Sequence, residues 1–253
     1  MNELWLIDII KAVRKAGKQI MEIYHSDYSI RTKDDNSPVT DADFVSNSIL
    51  TKSLAKTHIP VISEEENTVP YSIRKNYTNV WLLDPLDGTK EFIGKHDDFA
   101  INIALIKDHQ PVFGLIYLPV NKEIYYAIKG QGAYLITQED EKKKLPFAER
   151  KSKEYIFLKS RSHPDKHLEE YISNLTRKKD KINVKIVGSS IKFCEIAKGS
   201  ADEYTRFNAT MEWDTAAGQI IIEEAGKTFI DHQTNAPMRY NRENLKNGGF
   251  TIC

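Results

Sequence analysis

The residues best placed to do chemistry lie in W-L-L-D-P-L-D-G-T-K-E-F-I, Trp81 to Ile93. Trp81, Leu82 and Leu83 are a short apolar run that predicts a buried strand. The strand should end at Asp84, because Pro85 removes a backbone donor and fixes φ. Asp87 follows Leu86, and Gly88 lets the backbone turn sharply and come close to a ligand. Two carboxylates on one tight bend repel, so one must take up a proton unless a cation lies between them. Hard oxygen ligands on a turn suit Mg²⁺. A helical turn from Thr89 to Ile93 would aim the N–H groups of Gly88 and Thr89 at an anion such as a phosphate. The plain alternative is a surface turn with an Asp cap. Two unpaired acids at the end of a buried strand argue against it.

Other candidates are scattered along the chain. In T-D-A-D-F-V, Thr40 and Asp43 match a capping box opening a helix that runs to about Thr57, and spacing alone favours reading Asp43 as a cap. P-V-I-S-E-E-E is a short strand running into Glu64, Glu65 and Glu66, and such acidic runs are commonly solvated. E-W-D-T-A-A-G opens a helix with Asp214 near its first turn, where the helix dipole favours an acid, followed by small residues that admit close packing. Ser190 reads equally as a helix cap or a phosphate contact. Lys192 and Arg206 are either surface charges or anion clamps. His163 and His167 stand four apart without the glutamate of an H-E-x-x-H zinc site, which leaves His167 facing solvent. Ser189 and Ser190 lack a G-x-S-x-G elbow.

The elements that must position these groups follow from pattern. Residues 3 to 25 predict one amphipathic helix. Runs at Phe99 to Ile106, Val112 to Tyr117, Glu123 to Ile128 and Ala133 to Ile136 predict an antiparallel meander. Glu139 to Lys144 reads as a surface hairpin or linker at a domain junction. From Tyr155 onward, strands and helices alternate as in an α/β layer, with a helix from Thr215 to Ala225 and a last strand at Phe250 to Cys253. The expected organisation is an α+β subdomain over 1–144 with most of the acidic ligands. A smaller α/β subdomain over 145–253 would carry the last one. The 36 basic and 36 acidic residues balance, so no global field points to a nucleic acid polymer or an anionic membrane surface. Cys194 and Cys253 form no framework and read as free thiols of a reducing cytoplasm. No apolar run approaches the roughly 20 residues of a membrane span.

Three ordered motifs, E-E at Glu64 and Glu65, D-P-L-D-G-T at Asp84 to Thr89 and W-D-T-A-A-G at Trp213 to Gly218, resemble those of the lithium-sensitive, magnesium-dependent phosphomonoesterases that include inositol monophosphatase. The resemblance runs through nearly the whole chain. Lys90 and Glu91 after D-G-T, S-R-S-H at Ser160 to His163, G-S-S-I-K at Gly188 to Lys192, and Arg206 look like the 3′(2′),5′-bisphosphate nucleotidase branch, in its bacterial sulfate-assimilation form. The resemblance implies a layered α-β-α-β-α sandwich of the inositol monophosphatase and fructose-bisphosphatase type. It implies two or three Mg²⁺ ions held by Glu64, Asp84, the Leu86 carbonyl, Asp87 and Asp214, with Asp43 and Thr89 as the catalytic pair. Glu64, Leu86, Asp87, Gly88, Thr89 and Asp214 would surround the reacting phosphate. Ser160, His163, Gly188, Ser189, Ser190, Lys192 and Arg206 would hold the nucleotide. The implied protein is a cytoplasmic monomer, with peripheral membrane association left open, that hydrolyses 3′-phosphoadenosine 5′-phosphate to AMP and acts on its 5′-phosphosulfate analogue. Inositol phosphates are the second substrate class and a non-catalytic regulator the third reading.

Overall fold

The computed structural model describes residues 3–34, 36–148, 154–162, 165–179 and 181–253. His163, which the resemblance assigns to the nucleotide, lies outside the described residues. Helix α1 (Glu3–Tyr24) buries the face on which Ile9, Val13, Ala16, Ile20 and Tyr24 recur at helical spacing. A two-stranded ribbon, β1 (Ile30–Thr32) and β2 (Pro38–Thr40), leads directly into α2 (Asp41–Ala55). The expected capping box forms there. The Thr40 side chain accepts from Ala42 N–H, and Asp43 accepts from Thr40 N–H at 2.7 Å.

Next come β3 (Val61–Ser63), α3 (Tyr71–Arg74), β4 (Asn79–Asp87) and α4 (Thr89–Ile93). The meander follows as β5 (Ala100–Lys107), β6 (Gln110–Leu118), β7 (Glu123–Ile128), β8 (Gly132–Ile136) and β9 (Lys142–Lys144). These strands make a seven-stranded sheet in the order β3-β4-β5-β6-β7-β8-β9, with β3 parallel to β4 and the other neighbours antiparallel.

Strand β4 does not end at Asp84 as its proline suggested. Asp84 pairs with Asn102 and Asp87 with Ala100, so one extra residue is accommodated between them as a bulge. An irregular stretch asks no ladder N–H of Pro85, which is why the strand can continue through it. The Pro85 carbonyl accepts instead from Ser46 Oγ at 2.7 Å. Of the two readings for Glu139 to Lys144, the hairpin holds. β9 pairs with β8, and its three exposed lysines line the sheet edge, where cations oppose pairing with another chain.

The second half contains β10 (Tyr155–Ser160), α5 (Lys166–Lys178), β11 (Ile182–Val187), α6 (Ile191–Lys198), β12 (Glu203–Arg206) and β13 (Thr210–Met211). It closes with α7 (Glu212–Glu224), β14 (Phe229–Asp231), β15 (Lys246–Asn247) and β16 (Phe250–Ile252). A five-stranded sheet has the order β11-β10-β12-β16-β14, parallel through β12 and antiparallel beyond. Helix α7 starts three residues before the expected Thr215, which puts Asp214 inside its first turn.

The layers then follow. Helices α1 and α2 cover one face of the first sheet and α7 the other, against β4 to β8. Between the sheets, Phe193 of α6 stacks on Phe229 and Phe250 of the second sheet at 6.3 and 6.0 Å. Tyr171 of α5 packs on Phe157 and donates to Glu203 on that sheet's far face. The result is the five-layer α-β-α-β-α sandwich. The small residues after Asp214 are needed for it: a Cβ at Gly218 would stand 2.4 Å from the Phe193 ring.

Candidate active site

The acids converge at one end of β4, where the two sheets meet α7. Glu64 follows β3, which lies parallel to β4 with Ser63 beside Leu83. Asp84 sits in β4, and Asp214 is the third residue of α7, its Oδ2 accepting from Met211 N–H at 2.8 Å. Carboxylate oxygens of Glu64, Asp84 and Asp214 lie within 4.8 Å of one another. Asp87 stands beside this trio, and its Oδ2 accepts from Ser190 N–H at 2.5 Å and from Asn102 Nδ2 at 3.4 Å. The expected helical turn is present as α4, with Gly88 as its N-cap in left-handed backbone at φ 97°. A side chain at Gly88 would also meet the Asp98 carbonyl at 2.8 Å, so glycine is required twice over.

Asp43 is both a cap and a partner of the site. Its Oδ2 caps α2, and its Oδ1 accepts from Thr89 Oγ1 at 3.1 Å. The Leu86 carbonyl lies 3.3 Å from the same hydroxyl. Burial pushes Asp43 up, against hydrogen bonds from Thr40 and Thr89 that favour its charged form.

Electrostatics say what the site requires. Asp84 is buried, and burial raises its pKa well above the ordinary range, followed by the charges of Glu64, Asp87 and Asp214. Burial, then Asp87 and Glu64, push Asp214 up to about 8. Such a set is stable at neutral pH either protonated or around a cation. Hard carboxylate oxygens at this spacing, with Asp84 Oδ1 already holding the Leu86 N–H at 3.0 Å, fit a divalent ion such as Mg²⁺.

One cation here was not anticipated. Lys33, in the β1–β2 loop, donates to Glu64 Oε1 at 2.8 Å and to Glu65 Oε1 at 2.6 Å. Burial pushes Lys33 down, but the two glutamates hold it above its ordinary value. Burial lifts Glu65 to about 7 in spite of Lys33. Glu65 is therefore not a solvated member of the run, and only contact across the fold could reveal it.

The remaining predicted residues separate into two groups. Ser160, Ser189, Ser190, Lys192 and Arg206 line the same cleft as Glu64, Asp84, Asp87, Gly88, Thr89 and Asp214. Gly188 is not among the residues that line it, and its N–H donates to Asp98 at 2.9 Å. Ser190 is not a side-chain cap. Its Oγ donates to Asn102 Oδ1 at 2.6 Å. Lys192 is not a surface charge: burial lowers it to about 8 against the pull of Asp87, and its Nζ donates to the carbonyls of Val187 and Ser189. Arg206 donates to the Ala209 carbonyl, and its Nε is buried without a hydrogen-bond partner among the described residues. That unused donor in a cleft wall suits an anion. His167 is exposed, as expected, with its ring 6.3 Å from Phe207.

The start of α7 is held by a buried network. Glu212 accepts from the N–H groups of Asn241 and Arg242 and from Arg242 Nε. Arg74 donates to Asn241 and to the carbonyls of Arg242 and Glu243. Glu212→Ala is expected to cost about 3 kcal/mol, the low end for breaking a buried pair because Arg242 stays partly exposed. Urea unfolding of the metal-free protein measures this loss, and a change under 1 kcal/mol would contradict it.

The profile of the inositol monophosphatase family matches residues 2–250. A 3′(2′),5′-bisphosphate nucleotidase CysQ from Buchnera aphidicola is 38% identical over 260 residues, covering 99% of this chain and 95% of the relative. The enzyme of that name from Escherichia coli strain K12 is 36% identical over 252 residues, 98% of each chain. Among solved structures, CysQ from Bacteroides thetaiotaomicron has a TM-score of 0.87 and 39% identity over 97% of this chain and 95% of its own. An inositol monophosphatase from Thermotoga maritima shares the fold at a TM-score of 0.80 and 21% identity, over 100% of this chain and 92% of its own. Motif order, five-layer sandwich and buried acid cluster agree with full-length similarity, and the chain belongs to the inositol monophosphatase family.

Proposed function

We propose that this chain is a Mg²⁺-dependent phosphomonoesterase that hydrolyses the 3′-phosphate of 3′-phosphoadenosine 5′-phosphate, giving AMP and phosphate, and that also accepts the 5′-phosphosulfate analogue. The observation that carries it is one cleft holding the Glu64–Asp84–Asp214 trio, Thr89 with its buried partner Asp43 behind it, the buried Lys192 and the half-buried Arg206. The similarity to named bisphosphate nucleotidases supports the substrate. Glu64, Asp84, the Leu86 carbonyl, Asp87 and Asp214 would hold two or three Mg²⁺ ions. Bound there, Mg²⁺ would neutralise the carboxylates, acidify water and offset charge on the leaving oxygen.

The chain's own groups supply the positioning. Thr89 donates its proton to Asp43, which leaves its oxygen lone pairs free to accept from the attacking water and orient it in line with the phosphorus. Water adds to phosphorus, the bond to the 3′-oxygen breaks, and a proton passes to that oxygen. The N–H groups of Gly88 and Thr89 face the phosphoryl oxygens. No Ser, Cys or His nucleophile is needed, because stabilisation is positional and electrostatic. Lys192 and Arg206 would serve the second phosphate, which an inositol monophosphate lacks. The same reading divides the chain at 144/145 into a half with most of the metal ligands and a half with the nucleotide contacts and the last ligand, Asp214, and makes it a cytoplasmic monomer.

Phosphate release from 3′-phosphoadenosine 5′-phosphate and from inositol 1-phosphate, with Mg²⁺ and with EDTA, tests this proposal. The expected result is Mg²⁺-dependent preference for the nucleotide of about a hundredfold in kcat/KM, roughly 2.7 kcal/mol of differential transition-state binding. Equal rates would remove the nucleotide assignment, and no release from either would remove the enzyme.

A further inference from the structure

The loop between α4 and β5 forms a bracket that the proposed reaction does not use. Lys95 and Asp97 adopt left-handed backbone, at φ 56° and 61°. Both are tied to the end of α1. Asp97 accepts from the Tyr24 hydroxyl at 2.8 Å, while Lys95 donates to the Tyr24 carbonyl and lies 4.2 Å over its ring. The next residue reaches across to the second sheet. Asp98 Oδ2 accepts from Arg161 Nε at 3.0 Å and Nη2 at 2.7 Å, and also from Gly188 N–H. Glu91 of α4 accepts from Ser162 Oγ at 2.5 Å. Contact is so close that a Cβ at Gly188 would stand 2.6 Å from Asp98 Cβ and 2.7 Å from Glu91 Cγ.

Arg161 and Ser162 directly follow Ser160, and Gly188 directly precedes Ser189 and Ser190. Two of the second sheet's cleft-lining segments are therefore fastened to the first sheet's side of the cleft through these two acids. We propose that Asp98, supported by Glu91, is a positioning residue for substrate selectivity. It holds the segments 160–162 and 188–190 at a set distance from the turn carrying Asp87, Gly88 and Thr89, so that a substrate with two anionic groups spans both. This rests on the phosphomonoesterase reading above.

An exposed ion pair would do little of this work. The Asp98 side chain is only 19% accessible and also takes a main-chain donor, so its loss strands Gly188 N–H beside the cleft. Ser189 stands at φ 43°, a strained conformation for serine, and needs restraint from both sides. The Ser190 N–H bond to Asp87 and the Lys192 bond to the Ser189 carbonyl supply the rest. A substrate with one phosphate needs the metal-bearing turn alone. A bisphosphate must bridge the joint, so loosening it penalises the bisphosphate more.

The test compares wild type with Asp98→Ala, Asp98→Asn and Arg161→Ala in steady-state kinetics on both substrates, with hydrogen exchange of the 187–190 amides. For Asp98→Ala the expected result is a tenfold or greater rise in KM for 3′-phosphoadenosine 5′-phosphate. Its kcat should stay within threefold, kcat/KM for inositol 1-phosphate should change less than KM for the nucleotide, and the Gly188 amide should exchange faster. Asp98→Asn keeps the shape and covers the case in which the alanine variant does not fold. Unchanged KM, or equal losses on both substrates with a matching fall in Tm, would overturn the proposal. If wild type leaves 3′-phosphoadenosine 5′-phosphate intact, the functional reading fails by itself. Exchange at Gly188 then decides the bracket, with faster exchange supporting it and unchanged exchange overturning it.

Discussion

Asp84→Asn is expected to lower turnover about a thousandfold or more and yet to stabilise the metal-free protein at neutral pH. The first effect follows from the proposed ligand role, since several kcal/mol of transition-state stabilisation depend on the ion that Asp84 helps to hold. The second follows from linkage. Asp84, Asp87 and Asp214 have pKa values raised on folding, through burial first. Between the ordinary carboxylate range near 4 and about 8 for Asp214, the folded state retains protons that the unfolded chain has released. Stability of the metal-free protein therefore falls as pH rises through that window. Asparagine keeps the Oδ1 acceptor for Leu86 N–H and removes the charge, so it removes part of the slope.

Thermal unfolding in EDTA at pH 5 and pH 8 measures this effect. The variant should exceed wild type at pH 8, and the gap should narrow at pH 5. Mg²⁺ at a hundredfold excess over its Kd should stabilise wild type by about 2.7 kcal/mol and the variant by much less. A variant less stable than wild type at pH 8 would show that Asp84 is held by partners other than a cation.

Thr89→Val is expected to lower kcat by about 10²- to 10⁴-fold while KM and the Mg²⁺-dependent rise in Tm change little. Valine keeps the shape and deletes the hydroxyl that links Asp43 to the site. Asp43→Ala should lose a similar factor in kcat and, in addition, about 1 kcal/mol of stability, because its other oxygen caps α2. Acting as one unit, the pair should be non-additive, so that the double variant is scarcely slower than either single one. Multiplying losses in the double variant would separate the two residues and sink the shared role.

Much of this site is legible along the chain because its signals are local. D-P-L-D-G-T carries its own bend, Thr40 and Asp43 their own cap, and W-D-T-A-A-G its own helix start, each set by near neighbours. What is missing from that reading is long-range. Pro85 marks the end of a strand by propensity, but the bulge opposite Asn102 and Ala100 absorbs it. Residue type leaves Lys192 between a surface charge and an anion clamp, and only the fold rules out the first, with the side chain 2% exposed beneath the Val187 and Ser189 carbonyls. Gly188 reads as a nucleotide contact by motif, yet its donor is taken by Asp98.

The acids on bends and helix starts, the periodicity of the layers and the family are thus written in the order of neighbouring residues. Folding adds that Glu64, Asp84 and Asp214 come within 4.8 Å, that Lys33 bridges Glu64 and Glu65, and that Asp98 accepts from Arg161 and Gly188 across the cleft. The physical reason is that a cap or a turn is a bargain among adjacent residues. A shared charge site is set by burial and Coulomb terms between side chains whose separation along the chain, 20 residues for Glu64 and Asp84 and 130 for Asp84 and Asp214, carries no local trace.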